Sequence, residues 1–182
     1  ARVCDWNWKN GKDYRVVAAM PDAITKFRPA PDGRSVLIGC RDGTTALWDM
    51  SSGKFPYGAV QNSTWVDNLC FSGNGAVFAT SGLDGTVRLW STANQERLDM
   101  VMAHGRIVKI LGMDTGGTFI ATQENFGSVR VWKTRQENQS SQAVDPAVWG
   151  VVGVGSGKGR MLKAYFDGTA RLFDVWSGTT TG

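Results

Sequence analysis

Histidine is nearly missing from this 182-residue sequence, with His104 the only one, and the three cysteines, Cys4, Cys40 and Cys70, sit in no CxxC or other metal-ligand spacing. A structural zinc site draws about four ligands from these residue types, so no metal site is expected. Three cysteines cannot all pair, a usage that suits a reducing compartment, and the expectation is an intracellular protein of cytoplasm or nucleus. No apolar run reaches the roughly 18 residues that cross a bilayer, and the sequence opens on no signal-peptide pattern, so no membrane partner is expected. A dense basic stripe is lacking too: 20 Lys and Arg stand against 16 Asp and Glu, a net charge of +4, which by itself announces no nucleic-acid binder. No nucleophile–base pair or matched carboxylates recur at convergent positions, so no catalytic residue and no cofactor is expected, and the chain is not read as an enzyme.

Glycine, at 23 residues, and tryptophan, at 8, are abundant. Both belong to an internal repeat of about forty-two residues. DGTTALWD (42–49), DGTVRLWS (84–91), FGSVRVWK (126–133) and DGTARLFD (167–174) align on Gly43, Gly85, Gly127 and Gly168. Five residues after each glycine stands an aromatic: Trp48, Trp90, Trp132 or Phe173. Upstream lies a β-rich run (SVLIGC, AVFATSG, TFIATQ, RMLKAYF), then a turn (APDG, SGNG, DTGG, GSGKG), then a further apolar run.

The turn GSGKG (155–159) imitates a phosphate-binding loop but fails its chemistry. Val152 stands where the first glycine is required, and Gly159 replaces the hydroxyl residue that would hold magnesium. RMLKAYF after it reads as a strand, so no helix N-terminus meets a phosphate.

Each repeat therefore reads as four short antiparallel strands, a to d, joined by Gly/Asp/Asn/Ser turns. Innermost strands are expected over 23–28, 65–71, 107–113 and 148–154, and outermost strands over 14–20, 55–60, 97–102 and 142–144. In TVRLW (86–90), Val87 and Leu89 face one way and Thr86, Arg88 and Trp90 the other. Arg88, Arg130 and Arg171 are expected to pack between sheets, with the guanidinium near the aromatic two residues on. Asp42, Asp84 and Asp167 are read as turn formers.

Units of this length, with an Asp-Gly turn ahead of a Trp-Asp-like pair such as Trp48-Asp49, resemble WD40 repeats. The resemblance implies an all-β fold, a β-propeller of four-stranded antiparallel blades. The expected division is 1–20 as strands c–d of a preceding blade, then repeats 21–62, 63–104, 105–145 and 146–182. About four repeats are present, and an arc of a larger, about seven-bladed propeller is preferred over a four-bladed ring closed by residues 14–20. GTTTG at the end reads as too short for a proper strand d. The family's His–Ser–Asp–Trp hydrogen-bond set is only partly matched. Ser81, Asp84 and Trp90 serve in the second repeat, with Asn62 in the histidine's place, while His104 and Trp132 serve in the third, where Phe126 replaces the aspartate. His104, lacking an orienting acid at that place, reads as a loop brace.

The resemblance implies a protein-interaction scaffold within a multi-subunit complex. The d–a and b–c loops share one face, where Arg41, Trp65, Leu83, Arg106, Phe126 and Phe166 are candidates for docking a partner. The alternative is an RNA- or ribonucleoprotein-associated subunit. It would use the opposite loops, with Lys9, Lys12, Arg34, Lys54, Lys133, Arg135, Lys158 and Arg160 contacting phosphates. Any further blades would come from the same or another chain.

Overall fold

The computed structural model describes residues 1–6, 14–124, 129–134, 141–143, 148–154, 160–165, 167–174, 177 and 179–181. Every regular element in it is a strand. A two-stranded ribbon, β1 (Arg2–Trp6) and β2 (Tyr14–Ala19), is followed by four four-stranded sheets. The first sheet holds β3 (Ile24–Pro29), β4 (Ser35–Cys40), β5 (Thr44–Asp49) and β6 (Val60–Gln61). The second holds β7 (Val66–Phe71), β8 (Val77–Gly82), β9 (Thr86–Ser91) and β10 (Arg97–Ala103). The third holds β11 (Val108–Met113), β12 (Phe119–Glu124), β13 (Val129–Lys133) and β14 (Ser141–Ala143). The fourth holds β15 (Val148–Val154), β16 (Arg160–Tyr165), β17 (Ala170–Asp174) and β18 (Thr179–Thr181). Each sheet is antiparallel with its strands in sequence order, and its first strand packs beside the first strand of the next, β3 on β7, β7 on β11 and β11 on β15. This is the propeller arrangement, and each sheet is a blade.

The apolar core lies between blades, because alternate residues of a strand face opposite neighbours. Leu37 and Leu47 of the first blade join Val66, Leu69, Phe78 and Trp90 of the second. Ile38, Ala46 and Trp48, their neighbours in sequence, turn the other way onto Met20, Val17 and Val3. Val87 and Leu89 of the second blade meet Val108, Ile110 and Trp132 of the third, and Val129 and Val131 of the third meet Met161 and Phe173. The repeated aromatic thus always faces the preceding blade.

Two outermost strands differ from expectation. In the first blade only Val60 and Gln61 pair with β5, not 55–60. Pro56 has no N–H for a ladder, and Gly58 at φ +77° turns the chain, its N–H reaching the Phe55 carbonyl at 3.4 Å. The final residues do form a strand d: Thr179–Thr181 pair with Leu172–Asp174. Three β-branched residues suffice where the partner strand is already in place. β2 bonds to β1, which leaves the fourth blade to be completed by its own β18 rather than by residues 14–20. The arc stays open.

Candidate docking face

The b–c turns are built alike by their aspartates. Asp42, Asp84 and Asp167 each accept, through Oδ1, the backbone N–H two residues on, at 2.9, 3.0 and 2.9 Å. The glycine after each is left-handed, at φ +90°, +72° and +80°. A Cβ on Gly43 would lie 2.4 Å from the Asn62 carbonyl oxygen, and one on Gly85 2.6 Å from that of Arg106. Only glycine therefore lets the d–a loop close onto the b–c turn. That closure binds the two loops into one rim: the Asn62 N–H donates to Gly43 at 2.9 Å, His104 N–H to Gly85 at 2.9 Å, and Leu83 N–H to Trp65 at 3.3 Å.

Beneath the rim the blades satisfy their aromatics differently. Trp90 Nε1 donates to Thr80 Oγ1 at 3.0 Å, and Thr80 donates to Asn62 Oδ1 at 2.6 Å. Asn62 Nδ2 then reaches the Gly43 carbonyl and Thr45 Oγ1. Trp132 Nε1 donates to Thr122 at 2.8 Å. Ser81 is not in this set: its hydroxyl donates across the blade boundary to the Val108 carbonyl at 3.0 Å. Phe78 lies opposite Trp90, so Thr80 shares the tryptophan's face and Ser81 the reverse one. The same position holds Ile38 in the first blade, where buried Trp48 Nε1 has no partner. In the fourth it holds Lys163, whose Nζ lies 3.2 Å above the Phe173 ring.

His104 has an acid that its own repeat position did not announce. Glu124 at the end of β12 places Oε1 3.4 Å from His104 Nδ1, within ion-pair range but without hydrogen-bond alignment. Burial holds the imidazole below its usual value, and the nearby Glu124 opposes this only in part. The histidine is therefore neutral at pH 7, edge-on to Trp132 at 5.3 Å between ring centroids. The spare carboxylate was hidden because it stands two residues before Phe126.

The arginines of strand c follow the turn acids rather than the aromatics two residues on. Arg88 Nη2 bonds Asp84 at 3.0 Å and Ser63 Oγ at 2.9 Å. Arg130 lies 3.6 Å from Glu124, and Arg171 3.8 Å from Asp167 with its guanidinium 4.9 Å over Tyr165. A carboxylate one turn away outcompetes a ring face.

On the rim itself Trp65 is 42% exposed, Leu83 44% and Ile107 39%. Ile107 was not among the sequence candidates, although it aligns with Trp65 one repeat on. Arg106 is exposed, and Arg41 bonds Asp22 through two nitrogens, at 3.2 and 3.0 Å. On the opposite face Arg34, Lys54 and Arg160 are exposed and Lys133 half-buried. Asp32, Asp49, Glu96 and Asp174 stand in the same loops or strand ends, so the basic cluster is diluted, while Asp114 is buried and accepts the Phe119 N–H. Asp49 is held at about 2 by the Ser51 hydroxyl and the N–H of Ser52 and so stays charged. Phe126, Gly127, Phe166, Lys9, Lys12, Arg135 and Lys158 lie outside the described residues, as does the turn GSGKG. Among the described residues no group of three or more His, Cys, Asp or Glu converges as metal ligands.

The profile of the family described as "WD domain, G-beta repeat" matches residues 14–49 and 57–91. The chain is 29% identical over 85 residues to the small ribosomal subunit protein RACK1y of Oryza sativa subsp. japonica, covering 47% of this chain and 25% of that protein. It is 27% identical over 97 residues to WD repeat-containing protein 18 of Rattus norvegicus, covering 53% and 22%. Among solved structures it superposes on the RRP9 WD40 repeats with a TM-score of 0.70 at 18% identity, over 92% of this chain and 52% of that one. On the Cps50 (Swd1) β-propeller domain of Myceliophteria thermophila the TM-score is 0.73 at 15% identity, over 89% and 55%. The chain thus spans a quarter or less of these curated relatives and about half of these solved structures.

Proposed function

We propose that this chain, which matches the WD40 profile over residues 14–49 and 57–91, is a non-enzymatic, intracellular docking scaffold of that family that seats a partner protein on the rim of d–a and b–c loops. The observation that carries this reading is the exposed, backbone-braced cluster of Trp65 and Leu83 beside Arg106. Aromatic, aliphatic and arginine side chains on a rigid support are what interface hot spots use. Arg41 belongs to the same rim, and Phe126 and Phe166 remain in the proposal on sequence grounds. A multi-subunit assembly is the setting in which such a rim works, and the similarity to a small ribosomal subunit protein fits that setting.

The test compares the parent with Trp65→Ala and Leu83→Ala as baits in quantitative cross-linking of cell extract. The expected result is a tenfold or larger drop, on the order of a hot-spot loss, in the same set of captured proteins, with unchanged melting temperature. Capture indifferent to both substitutions removes the docking reading. Salt-sensitive binding of poly(U) RNA that falls with Arg34→Glu and Lys54→Glu, and ignores Trp65→Ala, would move the function to the opposite face.

A further inference from the structure

The rim carries a charge imbalance that narrows the partner. In the four blades the arginines of the b–c turns and strands c spend their charge within the chain: Arg41 on Asp22, Arg88 on Asp84, Arg130 on Glu124 and Arg171 on Asp167. Arg106 is exposed with no ion pair among the described residues, and it stands where the first blade has Asp22 and the second Thr64. The turn acids nearby are already engaged. Asp84 is bonded by Arg88 and the Thr86 hydroxyl, Glu124 lies between His104 and Arg130, and Asp42 caps its own turn. Lys109, three residues on at the start of β11, is exposed as well.

The cation adjoins apolar surface. Gly85 sits against the Arg106 carbonyl, Leu83 is two residues before Gly85, and Leu83 is bonded to Trp65, so Trp65, Leu83, Arg106 and Ile107 follow one stretch of rim. Resting on the docking reading above, we propose that this rim receives a peptide segment of a partner protein in which a carboxylate side chain adjoins a bulky apolar one. The apolar side chain covers Trp65, Leu83 and Ile107, and the carboxylate pairs with the Arg106 guanidinium in bidentate geometry, with Lys109 adding positive potential. A phosphopeptide reader gathers several arginines around one anion; here a single free arginine lies against apolar neighbours, which suits a carboxylate.

The test pans a random-peptide phage library on the immobilised full chain and measures the most enriched peptide by fluorescence anisotropy. The expected consensus places Asp or Glu beside Trp, Phe or Leu. Arg106→Glu is expected to weaken that peptide about tenfold or more, while its Lys-substituted counterpart gains affinity for the same variant. Affinity should also fall as salt is raised, since the pair is partly exposed. Enriched peptides that lack acids, or that bind Arg106→Glu as well as the parent, overturn the carboxylate partner. If those peptides are lost with Trp65→Ala, the docking reading stands; a library yielding nothing sensitive to either substitution overturns both.

Discussion

Thr80 shows how much one hydroxyl carries. It accepts from Trp90 and donates to Asn62, so it satisfies two buried groups at once. Thr80→Val keeps the volume and strands both, and the expected loss is about 1–3 kcal/mol in urea unfolding. An unchanged midpoint would mean that a water replaces the hydroxyl. Trp48 marks the contrasting case, a blade that tolerates an orphaned indole N–H because Ile38 stands where Thr80 stands in the second blade. Residue by residue, then, the repeat preserves the aromatic plug more firmly than the polar network behind it. Blade four, which uses a lysine over Phe173, takes the same liberty.

At the scale of the element, blades approach closely enough that single methyl groups matter. Gly39 in β4 has an ordinary backbone angle, yet a Cβ there would lie 2.6 Å from Val66 Cγ1 on the next blade. Gly39→Ala is expected to cost about 1–3 kcal/mol by overpacking. Val66→Ala in the same chain should return part of that loss, a coupling that a double-mutant cycle in urea reads directly. Additive losses would show that the two blades shift apart instead. The strand plan was legible in advance because the Gly-to-Gly spacing and the alternation in TVRLW act together: one sets where strands lie and the other which face is apolar. Ser81 was misassigned because two adjacent hydroxyls, Thr80 and Ser81, look interchangeable until cross-strand register gives each a side. Glu124 escaped notice because it replaces an aspartate from a different place in the turn. The outermost strands were least legible, since half of each faces solvent and few contacts constrain their letters. On the rim, Trp65 and Leu83 were readable as bulky residues in turns, while the isolation of Arg106 depends on where every neighbouring acid went.

Taken whole, the described residues form a row of blades with an open flank. β1 has β2 on one edge and no strand on the other among the described residues, and Phe27 of β3 is 71% exposed on the face where Ile38 meets the ribbon. An open edge beside a bare aromatic invites pairing with another chain. Residues 1–182 expressed alone are expected to self-associate in sedimentation, and Phe27→Glu to reduce that association without lowering the melting temperature. A monodisperse 19.7 kDa species for the parent would refute this.

The stitches between blades also impose an order in time. Thr25 Oγ1 donates to the Val66 carbonyl and Arg28 Nε to that of Leu69, each 41 residues downstream, and Ser81 waits on Val108. A ribosome adding about 5–20 residues per second leaves these donors without their acceptors for about 1–8 seconds. The nascent chain therefore always carries one blade whose seam is still unclosed, and the hazard of misfolding moves along the message one repeat behind the blade being made.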